Sequence, residues 1–264
     1  MWAAHQVHHS SEWFNLSTAL RQTSTGAFLG FPFYLPMAIV GVPPVVFGTV
    51  ALIDLLYQYW VHTELVRKLG WIDRVFVTPS NHRVHHGQND YCIDRNYGGI
   101  FIIWDRLFGS YAEERDAEPV VYGIRKPLAS YNILWGNLNV YAEVLRKSLT
   151  AKTFGAALRT WVDPPAGRGA ALVHLDTQTV RRYAPTASAK IKNYVLLQYA
   201  LLALATLYFL ANHDGFTMSA KIIFAAAIAA SAMSLGWLLE GRSFSRHFET
   251  ARLLTIGAAI LIAL

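Results

Sequence analysis

The stretch that decides the fold runs from Ala27 to Val61 and reads AFLGFPFYLPMAIVGVPPVVFGTVALIDLLYQYWV. It is almost wholly apolar, and Pro43-Pro44 interrupts it. One membrane span needs roughly 20 apolar residues, and proline breaks a helix. The stretch therefore predicts a hairpin, with one helix over 27–41 and a returning helix over 45–64. Both ends of such a hairpin face the same side of a membrane.

The sequence on either side of the hairpin changes character. Residues 1–26 are polar, with the periodicity of a short helix followed by a loop, and residues 62–193 are mixed and charged. Three further apolar segments follow at about 194–211, 221–239 and 251–264. The pattern predicts an all-α integral membrane protein with several spans. We expect a catalytic membrane domain at 1–125, a helical and loop region at 126–193, and C-terminal transmembrane helices at 194–264.

Composition and charge agree with a membrane protein. Hydrophobic residues make up 53% of the chain and charged residues only 15%, against about 25% charged in soluble domains. Of the 23 lysines and arginines, 18 lie between Arg67 and Lys192, which by the positive-inside rule predicts a cytoplasmic location for 62–193. The loop at 212–220 is then outside. The net charge of +6 accompanies no nucleic-acid motif, so we expect no nucleic-acid partner.

Histidines form two HxxHH boxes. Residues at i, i+3 and i+4 share one face of a helix, so each box predicts up to three imidazoles directed at one point. The hairpin returns both boxes to the same, cytoplasmic membrane face, and a further histidine stands at the end of its second arm. Imidazole is a ligand for Zn, Cu, Fe and Ni. The candidate metal ligands are His5, His8 and His9 in the first box, His82, His85 and His86 in the second, and His62 between them.

The number of these ligands favours two metals. Six or seven imidazoles exceed the four ligands of a structural zinc site, although a closed zinc site stays an alternative. Histidines that cap helices or bind lipid phosphates are a second alternative. His174, His213 and His247 are isolated, and we expect none of them at the site. The one cysteine, Cys92, excludes a disulfide framework and has no expected role.

Three stretches carry a resemblance to a known family. They are WAAHQVHHSSE at residues 2–12 with NLSTALRQ at 15–22, NHRVHHG at 81–87, and NYGG at 96–99 leading to WDRLFG at 104–109. They resemble the fatty acid hydroxylase/sterol desaturase superfamily, and within it most closely the alkylglycerol monooxygenase branch. The resemblance covers about residues 1–125.

The resemblance implies an enzyme, a di-iron oxidoreductase that uses O2 to hydroxylate a lipid C–H bond. The seven histidines would be its iron ligands, with no catalytic residue apart from them. The branch implies a reduced pterin such as tetrahydrobiopterin as electron donor and ether lipids as substrates. A sterol or fatty-acyl hydroxylase or desaturase supplied by a redox protein is an alternative, and an inactive membrane-protein fragment is another. Asn81 is expected to orient a ligand or its neighbour, and Asp105 and Arg106 to hold their loop against the site.

One motif of the family has no counterpart here. The family carries an HxxxH box followed by Glu shortly before its first HxxHH box, whereas this chain has only four residues before His5. We therefore expect the chain to be truncated at its N-terminus. With ligands missing, its metal affinity and activity are expected to be low.

Overall fold

A computed structural model describes residues 2–164 and 171–263. Helices dominate these residues, which contain no β-strand and only two isolated β-bridges, Phe76 with Phe101 and Gly87 with Tyr122. The all-α prediction is confirmed for this part of the chain. Residues 165–170 of the expected middle region, and Leu264 of the last one, lie outside the described residues.

The chain divides into two compact units. Unit one comprises Met1–Leu128 and Asn139–Arg182, and unit two comprises Ala129–Leu138 and Tyr183–Leu264. The division between Leu138 and Asn139 falls inside the helix Ile133–Leu149. The helices up to residue 159 are, in chain order, α1 (Trp2–His9), α2 (Leu16–Ala19), α3 (Gly26–Ile39), α4 (Pro44–Trp60), α5 (Pro79–His85), α6 (Ile103–Phe108), α7 (Ile133–Leu149) and α8 (Phe154–Arg159).

Helices α3 and α4 are the two arms predicted from the apolar stretch. α4 begins at Pro44, where proline is favoured because the first helical N–H has no partner in any case. Tyr34 of α3 meets Phe47 of α4 edge to face, with ring centroids 5.1 Å apart. The arms have 14 and 17 residues, or about 21 and 26 Å at 1.5 Å per residue. Both are shorter than a hydrocarbon core of about 30 Å.

The second arm ends four residues earlier than predicted. The prediction extended it to Glu64, but α4 ends at Trp60. The carbonyl oxygens of Thr63 and Val66 accept hydrogen bonds from Arg83 Nη1, at 2.9 and 2.7 Å. Arg83 therefore holds the segment just after α4, and His62 lies beyond the end of the helix.

Unit two contains α9 (Ala189–Asn212), α10 (Met218–Leu239) and α11 (Ser245–Ala263). Each begins several residues before its predicted apolar segment, and polar caps explain this for the first two. Ser188 accepts from the Ile191 N–H, and Thr217 accepts from the Ala220 N–H. Two helices of the described chain, 189–215 and Met218–Leu239, are long and apolar enough to cross a membrane.

The loop after α5 is held by buried polar side chains. The Asp105 carboxylate accepts from the backbone N–H groups of Tyr97 (2.7 Å) and Gly98 (2.8 Å). The prediction that Asp105 holds this loop is confirmed. Arg106 makes a cation–π contact instead: its guanidinium lies 3.8 Å from the centroid of the Tyr111 ring.

Candidate metal centre

Both histidine boxes lie on helices, as predicted. The first box is in α1, and the second is in α5 with its last histidine as the C-cap. α5 begins with Pro79 at its first position, where the missing N–H costs nothing, and most of its residues are buried. His62 follows α4 by two residues and is buried. The structure thus brings all seven predicted histidines into one region of unit one.

Four of them form a buried group. Their ligating nitrogens lie within 4.8 Å of one another. The Nε2 atom of His62 is 3.1 Å from Nε2 of His8 and 3.0 Å from Nε2 of His82, and Nε2 of His86 is 3.2 Å from Nε2 of His82. We call these the four-histidine group: His8, His62, His82 and His86.

The other three form a second group beside the first. The ligating nitrogens of His5, His9 and His85 also lie within 4.8 Å of one another. His5 is exposed, His85 half-buried and His9 buried. The rings of His9 and His86 stack with centroids 4.3 Å apart, so the two groups are neighbours.

The grouping differs from the sequence prediction in one respect. Each box was expected to direct its three imidazoles at one point. Instead each box contributes to both groups: His5 and His9 lie apart from His8, and His85 lies apart from His82 and His86. In both boxes the i and i+4 histidines stay together, and the i+3 histidine joins the other group.

Hydrogen bonds fix which ring nitrogen carries the proton. Nδ1 of His62 donates to the Gln58 carbonyl oxygen at 2.6 Å, and Nδ1 of His8 donates to the Arg21 carbonyl oxygen at 3.2 Å. A carbonyl oxygen only accepts, so Nδ1 must hold the hydrogen in both rings. In the neutral imidazole the lone pair is then on Nε2, which points into the group.

Burial keeps these imidazoles neutral. Desolvation, followed by the charge of neighbouring histidines, lowers the pKa of His8 to about 3. The same two causes hold the pKa values of His9, His82 and His86 well below 6.5. A neutral imidazole is the form that binds a metal, so the lone pairs are available at neutral pH.

These groups fit metal ions. The Nε2 lone pairs of His8 and His62 face each other without a proton between them, which is unfavourable unless a cation lies there. Two nitrogens about 2.1 Å from one metal are roughly 3.0–3.4 Å apart, as they are here. His9 Nε2 and His82 Nδ1 are buried, and neither has a hydrogen-bond partner among the described residues. No carboxylate of the described chain joins either group, a donor set that suits Fe, Zn or Cu better than Mg or Ca.

A buried ion pair next to the second box was not predicted. Arg83 Nε and Nη2 donate to the two carboxylate oxygens of Glu114, each at 2.7 Å, and the Ser80 hydroxyl donates to Glu114 at the same distance. Arg83 thereby joins α5 to the chain just after His62 and to residue 114. The pairing follows no local spacing, so sequence periodicity could not reveal it.

Asn81 does not contact a histidine through its side chain. Its Nδ2 donates to the carbonyl oxygens of Asp73 and Phe76, both at 3.0 Å. The amide thus fixes the loop that precedes α5, the helix that carries His82; a role of Asn81 in orienting a ligand or its neighbour stays a prediction.

The remaining histidines and the cysteine lie outside both groups, as predicted. His174, His213 and His247 are exposed, and His174 Nδ1 donates to the Asp90 carboxylate at 2.5 Å. Cys92 is a free, buried thiol, and burial raises its pKa to about 12. It is therefore unreactive in the folded protein.

Comparison with known proteins relates this chain to one family. Residues 1–110 match the family model for fatty acid hydroxylase. The chain is 38% identical over 263 residues to an alkylglycerol monooxygenase of Danio rerio and 34% identical over 261 residues to one of Homo sapiens. These alignments cover 97% and 96% of this chain, which spans 58% of the length of each relative. An ornithine lipid hydroxylase of Rhizobium tropici is 27% identical over 119 residues, 42% of this chain and 34% of that protein. No solved structure matches the chain.

Proposed function

Because residues 1–110 belong to the fatty acid hydroxylase family, we propose that this chain carries the histidine centre of an iron-dependent lipid monooxygenase. The facing Nε2 lone pairs of His8 and His62, 3.1 Å apart, support this most directly. They need a cation between them, and the imidazole-only donor set suits iron.

The four-histidine group would hold one iron ion, and His5, His9 and His85 a second. Bound iron supplies the activation of O2, from which one oxygen atom enters a lipid C–H bond and the other is reduced to water. The chain positions these ligands before the metal binds, because backbone carbonyls fix the rings of His8 and His62. Such outer hydrogen bonds typically contribute 10–100-fold to metal affinity.

Apolar side chains shield the four-histidine group. Phe14 and Val84 are fully buried, and the Phe14 ring lies 5.5 Å from the His62 ring and 5.2 Å from the His86 ring. These side chains keep water from the group.

The substrate we propose is an ether lipid. The alkylglycerol monooxygenases match nearly the whole of this chain, whereas the ornithine lipid hydroxylase matches less than half of it. Hydroxylation beside an ether oxygen gives a hemiacetal, which separates into an aldehyde and a glycerol. A sterol or fatty-acyl hydroxylase is the second candidate. A reduced pterin is the proposed donor, and a redox protein is its alternative.

We also propose that the chain is a multi-pass membrane protein with its histidines on the cytoplasmic face. α9 and α10 would span the bilayer, while the shorter arms α3 and α4 would enter it without full separate spans. Apolar side chains of α3 and α6 are strongly exposed, with Phe28 at 81% and Phe108 at 78%. Such surface suits lipid contact. Residues 1–125 would be the catalytic part, 126–193 a cytoplasmic region and 194–264 the transmembrane anchor.

Metal analysis and turnover together test the proposal. The purified protein with the family's first histidine box restored, loaded with ferrous iron under anaerobic conditions, should retain about two iron ions if both groups are sites. An alkylglycerol should then give an aldehyde in the presence of O2 and tetrahydropterin. Retention of one zinc ion and no iron would exclude the iron centre. Turnover of a sterol or fatty acid, but not of an alkylglycerol, would favour the second candidate.

A further inference from the structure

A turn at residues 94–97 holds the imidazole of His85, one member of the three-histidine group formed by His5, His9 and His85. The carbonyl oxygen of Arg95 lies 3.1 Å from His85 Nδ1. A carbonyl only accepts, so Nδ1 carries the hydrogen and the neutral ring has its lone pair on Nε2. The Tyr97 ring lies beside the same imidazole, with centroids 6.0 Å apart and planes inclined by 72°. The turn therefore sets both the tautomer and the orientation of one proposed metal ligand.

The backbone on both sides of Arg95 is strained. Asp94 and Asn96 have φ values of 56° and 53°, in the left-handed region that residues other than glycine rarely adopt. Ala129 is the one further residue of this kind in the described chain. Such a conformation persists only where the surrounding contacts impose it, and it is concentrated at functional sites. Two of the three strained residues thus flank a carbonyl that holds a ligand of the proposed centre.

The side chain of Asn96, which is 1% exposed, supplies contacts that impose this conformation. Its Nδ2 donates to the carbonyl oxygens of Asn81 (2.9 Å) and Ala112 (2.8 Å), and its Oδ1 accepts from the Ala112 N–H (2.9 Å). Asn81 lies in α5, the helix that carries His85. The amide therefore ties the turn to the helix of the ligand that the turn holds. Aspartate has nearly the same shape but no hydrogen to donate, so it cannot make the two bonds from Nδ2.

We propose that Asn96 is the positioning residue for the second metal ion, the one that the three-histidine group would hold. By keeping the Arg95 carbonyl against Nδ1, its side chain directs the Nε2 lone pair of His85 before any ion binds. The inference rests on the proposed function, in which this group is a metal site. The four-histidine group has its own anchors, the carbonyls of Arg21 and Gln58. Loss of the Asn96 amide should therefore affect one ion and leave the other.

Iron titration under anaerobic conditions separates the two ions. The protein is the form with the family's first histidine box restored, and the readout is the iron bound at each concentration of free ferrous ion. Asn96→Asp removes both amide donors and should weaken binding of one iron ion about 10–100-fold, the usual effect of losing an outer hydrogen bond. Asn96→Gly makes the left-handed backbone easy to adopt but removes the amide, so it should weaken the same ion. The other ion should keep its Kd in both variants.

Two further variants show which ion is affected and whether any buried amide would have this effect. His85→Ala should remove one iron ion, and adding Asn96→Asp to it should remove no more, because Asn96 acts through His85. Asn89→Asp is the matched control: Asn89 is also buried, its Nδ2 donates to the Pro119 carbonyl at 3.1 Å, and its Oδ1 accepts from the Val121 N–H at 2.7 Å. Because Asn89 lies outside the turn, this variant should lower the Tm and keep both iron ions.

Three results would overturn the proposal. Unchanged iron binding in both Asn96 variants would leave the residue without a role at the site. Weakening of both ions together would mark it as a purely structural residue. Selective loss of one ion in Asn89→Asp would show that the effect is not particular to the turn. Failure of the proposed function looks different: the unsubstituted protein would then bind no iron, or would lose none on His85→Ala.

Discussion

His8 and His62, separated by 54 residues in sequence, face each other through their Nε2 atoms at 3.1 Å. Each ring donates its Nδ1 hydrogen to a backbone carbonyl, of Arg21 and of Gln58 respectively. In neutral rings this leaves two lone pairs in opposition. A site of this kind is preorganised, because the rings are already oriented before a cation arrives.

We expect His62→Ala to lose metal. The substitution removes one of four converging imidazoles and should weaken binding at least as much as the 10–100-fold typical of losing an outer partner. Metal content after dialysis, measured by mass spectrometry, checks this. His174→Ala is the matched control because His174 is exposed and outside both groups. Equal metal loss in both variants would contradict the assignment of His62.

Loss of the ion pair beside the second box should destabilise the protein. Glu114→Ala leaves the Arg83 guanidinium, whose side chain is 7% exposed, without its carboxylate, at a cost of about 3–5 kcal/mol. Chemical or thermal unfolding in detergent measures the change. In contrast, Glu113→Ala removes a carboxylate that is 69% exposed and should change stability by less than about 1 kcal/mol. Similar effects of the two substitutions would show that the buried pair has no special role.

The Asp90 carboxylate makes the stability of the folded protein depend on pH. Hydrogen bonds from His174 and then Arg125 lower its pKa to about 2, below an unfolded value of about 3.9. The folded state therefore binds this proton less readily than the unfolded state. Its stabilisation is complete above about pH 4 and is lost as the pH falls through about 2. Accordingly, the Tm difference between wild type and Asp90→Asn should stay constant down to about pH 4 and shrink below it. A difference that grows on acidification would contradict this.

Cysteine labelling tests the proposed topology. Asp116 and Asp214 are both strongly exposed, at 88% and 93% of their side chains. In intact cells, a membrane-impermeant maleimide should label Asp214→Cys but should label Asp116→Cys only after permeabilisation. Wild-type Cys92 is buried with a raised pKa, so the native background should stay unlabelled. Labelling in the reverse pattern would invert the topology.

The sequence predicted the helices well because hydrophobic length and paired prolines act locally. The break at Pro43-Pro44 and the placement of both boxes on helices needed no tertiary information. The predicted end of α4 was wrong: the helix ends at Trp60, and the Thr63 carbonyl beyond it accepts from Arg83, 20 residues away in sequence. Tertiary contacts of this kind have no local spacing.

The sequence predicted which histidines form the candidate site but not how they are arranged. Six of the seven histidines could be selected because HxxHH is a dense pattern of one residue type, and His62 because it stands at the end of the returning arm. Which histidines of the two boxes meet depends on tertiary packing, although each box keeps its i and i+4 histidines together. Phe14 gave no signal, because an isolated aromatic residue in sequence is usually only part of a core.

The four-histidine group has a consequence for folding. This chain has one cysteine and so no internal disulfide, yet a metal ion joining His8 to His62 would act as a cross-link that closes a loop of 54 residues. In the chain-entropy description such a closure is worth about 4 kcal/mol against the unfolded state. The metal would thus fasten α1, the end of α4 and α5 together. Iron supply would then govern how much folded protein accumulates in the membrane, in addition to how fast each molecule turns over.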